Sequence, residues 1–65
     1  MLRTGDVCVW RGEVGNSHVQ PGDIVVIGER ENARLIWATC IRTGFRGTTS
    51  INGDSMEVIG HAEGR

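Results

Sequence analysis

The stretch Pro21-Gly22-Asp23-Ile24-Val25-Val26-Ile27 places four consecutive β-branched apolar residues directly after a turn signal. Ile and Val suit a pleated, half-buried surface, and Pro-Gly-Asp punctuates the chain ahead of them, so the stretch reads as a buried strand. A second stretch, Thr4-Gly5-Asp6-Val7-Cys8-Val9, has the same construction: a Gly-Asp turn leads into an apolar strand that ends at Trp10. Asp6 and Asp23 are expected to hydrogen-bond their own turn backbone, as Asp does at such positions.

Between these strands, Arg11 to Gln20 is rich in Gly and polar residues. It reads as a long loop with room for a short strand around Val14 or Val19, and a loop of this length in a small domain is the first place to look for function. After Ile27 comes a charged hairpin connection, Gly28 to Arg34, and then Leu35-Ile36-Trp37-Ala38-Thr39-Cys40-Ile41. Alternation puts Leu35, Trp37, Thr39 and Ile41 on one face and Ile36, Ala38 and Cys40 on the other, a strand with apolar residues on both sides. Helical spacing of Ala33, Ile36, Trp37, Cys40 and Ile41 is the competing reading. Ile, Trp, Thr and Cys are mediocre helix formers, however, and Gly44 limits the length.

Arg42-Thr43-Gly44 makes a further turn, Phe45 to Ile51 a more polar strand, Asn52-Gly53-Asp54-Ser55 a strong turn signal, and Met56-Glu57-Val58-Ile59 the last strand. Five short strands joined by Gly-rich turns predict one all-β domain over residues 1–65, a small five-stranded antiparallel barrel. Residues 1–4 and 60–65 are expected to be frayed tails.

Gly22-Asp23-Ile24-Val25-Val26, two further strands, and a short turn before Ser55-Met56-Glu57-Val58-Ile59-Gly60 resemble the Src-homology-3-like small barrels. The resemblance spans Gly22 to Gly60 and implies a single turn of three-ten helix before the last strand. It implies no activity, because members of that superfamily bind peptides, nucleic acids or copies of themselves. One enzyme of this architecture, the plasmid-type trimethoprim-resistant dihydrofolate reductase, builds its site by tetramerising around a Val-Gln-Ile-Tyr segment. Here Thr49-Ser50-Ile51-Asn52 stands near that place, so its activity does not carry over.

At 65 residues folding buries only about 60% of the surface of the unfolded chain. Little is left for a deep pocket, and small scaffolds gain stability from disulfides, metals or association. Cys8 and Cys40 lie in apolar runs with no Cys-x-x-Cys or Cys/His spacing, so they read as small buried hydrophobes in a reducing compartment. No metal site and no cofactor are expected, since Cys8, His18, Cys40 and His61 are scattered. Nucleophilic catalysis lacks a Gly-x-Ser-x-Gly elbow, and His18 and His61 read as solvated loop residues, so no catalytic residue is assigned and a non-enzyme is expected. With no run of membrane-spanning length, the expected location is the cytoplasm.

Net charge is -1 and all seven basic residues are Arg. Residues 30–46 carry Arg30, Arg34, Arg42 and Arg46 against Glu31, so a basic middle lies between acidic flanks. Phe45 beside Arg46 could stack on a base or fill a partner's pocket, or it could plug the barrel end. Trp37 reads as core, and Trp10, before Arg11, as an exposed anchor.

The leading expectation is a non-enzymatic module that self-associates as a homo-oligomer and contacts a protein partner through Trp10, Arg11, Arg42, Phe45 and Arg46. Small adaptors or inhibitors of phages and other mobile elements have this character. The alternative is single-stranded nucleic-acid binding through the Arg42 to Arg46 loop. An enzyme whose site forms only across subunits is the third reading.

Overall fold

The computed structural model describes residues 1–12 and 18–62. Among them are five strands and no helix: β1 (Asp6–Trp10), β2 (Ile24–Arg30), β3 (Leu35–Cys40), β4 (Arg46–Ser50) and β5 (Met56–His61). No helix long and apolar enough to cross a membrane is therefore present among the described residues. All pairings are antiparallel, in the order β4-β3-β2-β1-β5.

Pairing follows the alternation of the sequence. Cys8 lies opposite Val25, Val25 opposite Cys40, and Ile27 opposite Ala38, so one face of the sheet collects the apolar side chains. Leu2, Cys8, Val25, Ile27, Ile36 and Ile51 form the buried cluster, with Trp10, Val19, Ala38 and Met56 packed against it. Removing each such aliphatic side chain from water is worth about 1.5–3 kcal/mol, the main favourable term in a domain this small. Both cysteines are free and buried, as their apolar surroundings predict.

Closure into a barrel is not observed: β4 and β5 are the two edges of one open sheet. Residues 51–55 cross from the end of β4, beside Leu35, to the end of β1, beside Trp10, and so β5 begins on the far side of the sheet from β4. The crossing is made by turns, with Gly53 N–H donating to Ser50 O and Met56 N–H to Gly53 O, where a three-ten turn was expected. A register shift between Val7 and Cys8 interrupts the β1–β5 ladder.

Leu2, Gly60 and His61, expected in the tails, are held in the fold. Leu2 is buried and its N–H donates to Ile51 O at 2.7 Å, because its isobutyl group closes the end of the core that the turn after β4 leaves open. Gly60 and His61 belong to β5, held by pairing with Val7 and Asp6. Trp37, expected in the core, lies half-buried on the outer face, since it alternates with the buried Ile36. Its indole N–H donates to Glu31 at 2.7 Å.

Candidate functional site

The two Gly-Asp turns are built alike. Asp6 N–H donates to Arg3 O at 3.0 Å while its carboxylate accepts the Arg3 N–H at 3.0 Å. Asp23 N–H donates to Gln20 O at 3.0 Å while its carboxylate accepts the Gln20 N–H at 2.9 Å. Gly5 and Gly22 carry φ of 95° and 94°, the positive value that the third residue of a type II turn requires. The expected turn role of both aspartates is thus present, and each adds a second function.

Asp6, buried at the start of β1, accepts from His61 Nδ1 at 2.9 Å. That hydrogen bond first, and the Arg3 amide second, hold its carboxyl below the usual carboxylate range. Asp23 accepts from Arg42 Nε at 3.0 Å and Nη2 at 2.9 Å. The guanidinium, aided by the Gln20 amide, holds the Asp23 carboxyl at about 2 and in turn raises the pKa of Arg42. Cys40 Sγ lies 3.5 Å from the same carboxylate. Burial first, and the Asp6 charge second, push the Cys8 thiol up, so it is a poor nucleophile.

The two ends of the core are unlike. Leu2 and Ile51 close the end where β1 begins and β4 ends. At the other end, where β1 and β3 finish and β4 and β5 start, a cleft of about 110 Å³ opens. Val25, Ala38 and Cys40 form its floor; Trp10 and Met56 stand on one side, and Phe45 with Gly47, Thr48 and Thr49 on the other. Val19 also borders it. Drug-sized ligands and cofactors occupy about 300–1,000 Å³, and this cleft is smaller, about the size of one apolar side chain.

Phe45 stacks on His18, with ring centroids 4.4 Å apart and planes 3° from parallel. The ring also lies over Gly47, where a Cβ would sit 3.0 Å from its edge. Thr43 Oγ1 donates to His18 O at 3.0 Å, which ties the β3–β4 turn to the chain that leads into β2. His18 is the exposed loop residue expected and stacks on Phe45, whereas His61 is a strand residue bonded to Asp6.

Of the five residues singled out from the sequence, the structure brings Trp10 and Phe45 together around the cleft. Trp10 is half-buried and packed on the core, not an exposed anchor. Arg42 stands nearby, committed to Asp23. Arg11 lies apart, paired with Glu57 at 2.7 Å on the exposed β1–β5 edge. Arg46 lies on the opposite face, its guanidinium 4.1 Å from the centre of the Trp37 ring. Sequence reasoning missed Met56, Val19 and His18; the signal for Met56 was its place three residues after Gly53, at the entry to the last strand. Val14, considered as a short strand, lies outside the described residues. Among the described residues, no three His, Cys, Asp or Glu side chains converge on a metal position.

Comparison with protein-family models, with curated proteins and with solved structures returns no match to this chain.

Proposed function

We propose that this chain is a non-enzymatic binding module that takes an apolar side chain of a protein partner into the cleft between Trp10, Phe45 and Met56, and that it self-associates. The observation that carries the reading is the cleft itself: about 110 Å³, apolar-floored and rimmed by aromatic side chains. Aromatic rims around a desolvated pocket are the usual anchors of protein recognition. Val58 and Ile59, half exposed on the edge strand β5, and Ile41, exposed beside the rim, support self-association, since each leaves apolar surface in water. The strand order, and a cleft lined from both edge strands, support a Src-homology-3-like barrel left open at the β4–β5 seam.

Single-stranded nucleic-acid binding has less support. One face of Phe45 is taken by His18, Arg42 is engaged by Asp23, and Arg46 is stacked on Trp37. One stacking face of Phe45 and the Arg42 guanidinium, both of which this reading needs, are already in use.

The test is a pull-down from a native extract with the wild-type chain and with Ala38→Leu, which fills the cleft floor. A protein retained by the first and lost from the second is the expected result; equal retention refutes the cleft. Light scattering at tens of micromolar checks self-association, and a strictly monomeric mass refutes it.

A further inference from the structure

The β4 edge lies along the cleft, and among the described residues its outer side takes one backbone hydrogen bond, from Gly53 N–H to Ser50 O. Cys40 N–H donates to Phe45 O and Ile51 N–H to Arg34 O, so these bonds bracket β4. The alternation of an antiparallel ladder then turns the N–H and C=O of Gly47 and Thr49 toward β3, and those of Arg46 and Thr48 away from it. Among the described residues no strand pairs with that outer side.

Unlike β5, whose ladder is broken by a register shift, β4 pairs with β3 in unbroken register over five residues. It has no Pro and no bulge, and Arg46 at its start is its one charged residue. Gly47, Thr48 and Thr49 of this strand border the cleft.

From this juxtaposition we infer that the partner binds as an extended segment added to the β4 edge. Its main chain pairs with Arg46 and Thr48, and one medium-sized apolar side chain drops between Phe45 and Met56. The inference rests on the proposed cleft and names what fills it. Only a peptide backbone in extended form matches a row of alternating N–H and C=O groups. The size of the cleft limits the anchor to one side chain.

Charge selects the flanks of the segment. Arg46 stands at one end of β4, and Arg34, opposite Ile51, at the other. Among the described residues neither guanidinium has a carboxylate partner. Acidic residues on either side of the apolar anchor complement them.

The experiment is selection from a displayed library of random linear peptides against the whole chain, followed by amide NMR mapping of the enriched sequences. The expected peptides carry one apolar residue between acidic ones. They shift the amides of Arg46, Thr48 and Ser50 and the Trp10 indole, and slow exchange of the Thr48 amide.

Thr48→Pro removes an outward N–H without touching the β3–β4 ladder, and it is expected to weaken binding about tenfold. N-methylating the peptide backbone tests the same bonds with the protein unaltered, and is expected to abolish binding. Peptides that tolerate both changes, that map to Val58 and His61 on the β5 edge, or that carry no acidic flank overturn the inference. The cleft is read separately through Ala38→Leu. Peptides lost with that variant but indifferent to Thr48→Pro sink the strand addition and leave the cleft standing; peptides indifferent to it sink the cleft as well. A selection that enriches nothing overturns the inference.

Discussion

Asp23 and Arg42 meet through two parallel hydrogen bonds, 3.0 and 2.9 Å long, across a separation of 19 residues in the chain. The pair joins the turn that enters β2 to the turn that leaves β3, beside the open end of the core. Planar, two-pronged contact of this kind is specific to arginine, and lysine at position 42 would keep the charge and lose the fork.

Acid titration reads this pair directly. Asp23 has its carboxyl lowered from an ordinary 3.8 to about 2 in the folded state, so its contribution is fully present above 3.8 and is lost as pH falls through about 2. Asp23→Asn is expected to be less stable at neutral pH and to show a shallower loss of stability across that acid window, measured by urea unfolding at a series of pH values. Acid limbs that superimpose for variant and wild type would contradict the assignment. Arg42→Lys should fall between the two.

Leu2→Ala tests whether the first residues are part of the fold. A frayed terminus predicts no effect, whereas loss of a buried leucine costs about 2–5 kcal/mol. Against a total stability of about 5–15 kcal/mol for small proteins, such a loss moves the urea midpoint far down. An unchanged midpoint would return residues 1–4 to the solvent.

Gly53 and Gly22 separate backbone strain from crowding. Both have positive φ, 70° and 94°, but a Cβ on Gly22 meets nothing within 4 Å while one on Gly53 meets Leu2 Cδ2 at 2.9 Å. Gly22→Ala is expected to cost about 1 kcal/mol of strain, and Gly53→Ala clearly more. In a Leu2→Ala background the excess should disappear, a coupling that a double-mutant cycle measures; equal costs in both backgrounds would deny the contact.

Thiol labelling reports on the core itself. Cys8 and Cys40 are 0% and 1% exposed, and burial pushes the Cys8 thiol up. Both are expected to react with an aromatic disulfide reagent only as fast as the chain unfolds, so labelling should accelerate in step with Leu2→Ala destabilisation. Rapid reaction of the folded wild type would show that the sheet opens locally at β1 or β3.

All five strands were legible, because Val-Cys-Val and Ile-Val-Val-Ile after Gly-Asp and the apolar run from Leu35 to Cys40 are local signals, but the buried face of β3 was not, since both of its alternating faces are apolar. The turn role of Asp6 and Asp23 was legible for the same reason. Their side-chain partners were not: His61 and Arg42 lie 55 and 19 residues away, and only register brings them together. Trp37 was misplaced because an indole is large enough to look like core, whereas alternation with Ile36 puts it outside. Barrel closure depends on how residues 51–55 cross the end of the sheet, which turn propensity does not specify. Trp10 and Phe45 were identifiable as aromatics near loops, but their meeting around one cleft follows from β1 and β4 ending and starting at the same end of a curled sheet.

Leu2 and Ile51 close one end of the core, while Trp10, Phe45 and Met56 surround the other. The closed plug and the open rim therefore lie at opposite poles of the molecule. Residues of the turn from Ile41 to Phe45 other than Arg42 and Gly44 can vary in size and charge without touching the plug. A sheet organised this way serves as a scaffold whose variable end can be rebuilt by substitution or by lengthening the chain between β1 and β2, with the folding machinery held apart at the far end.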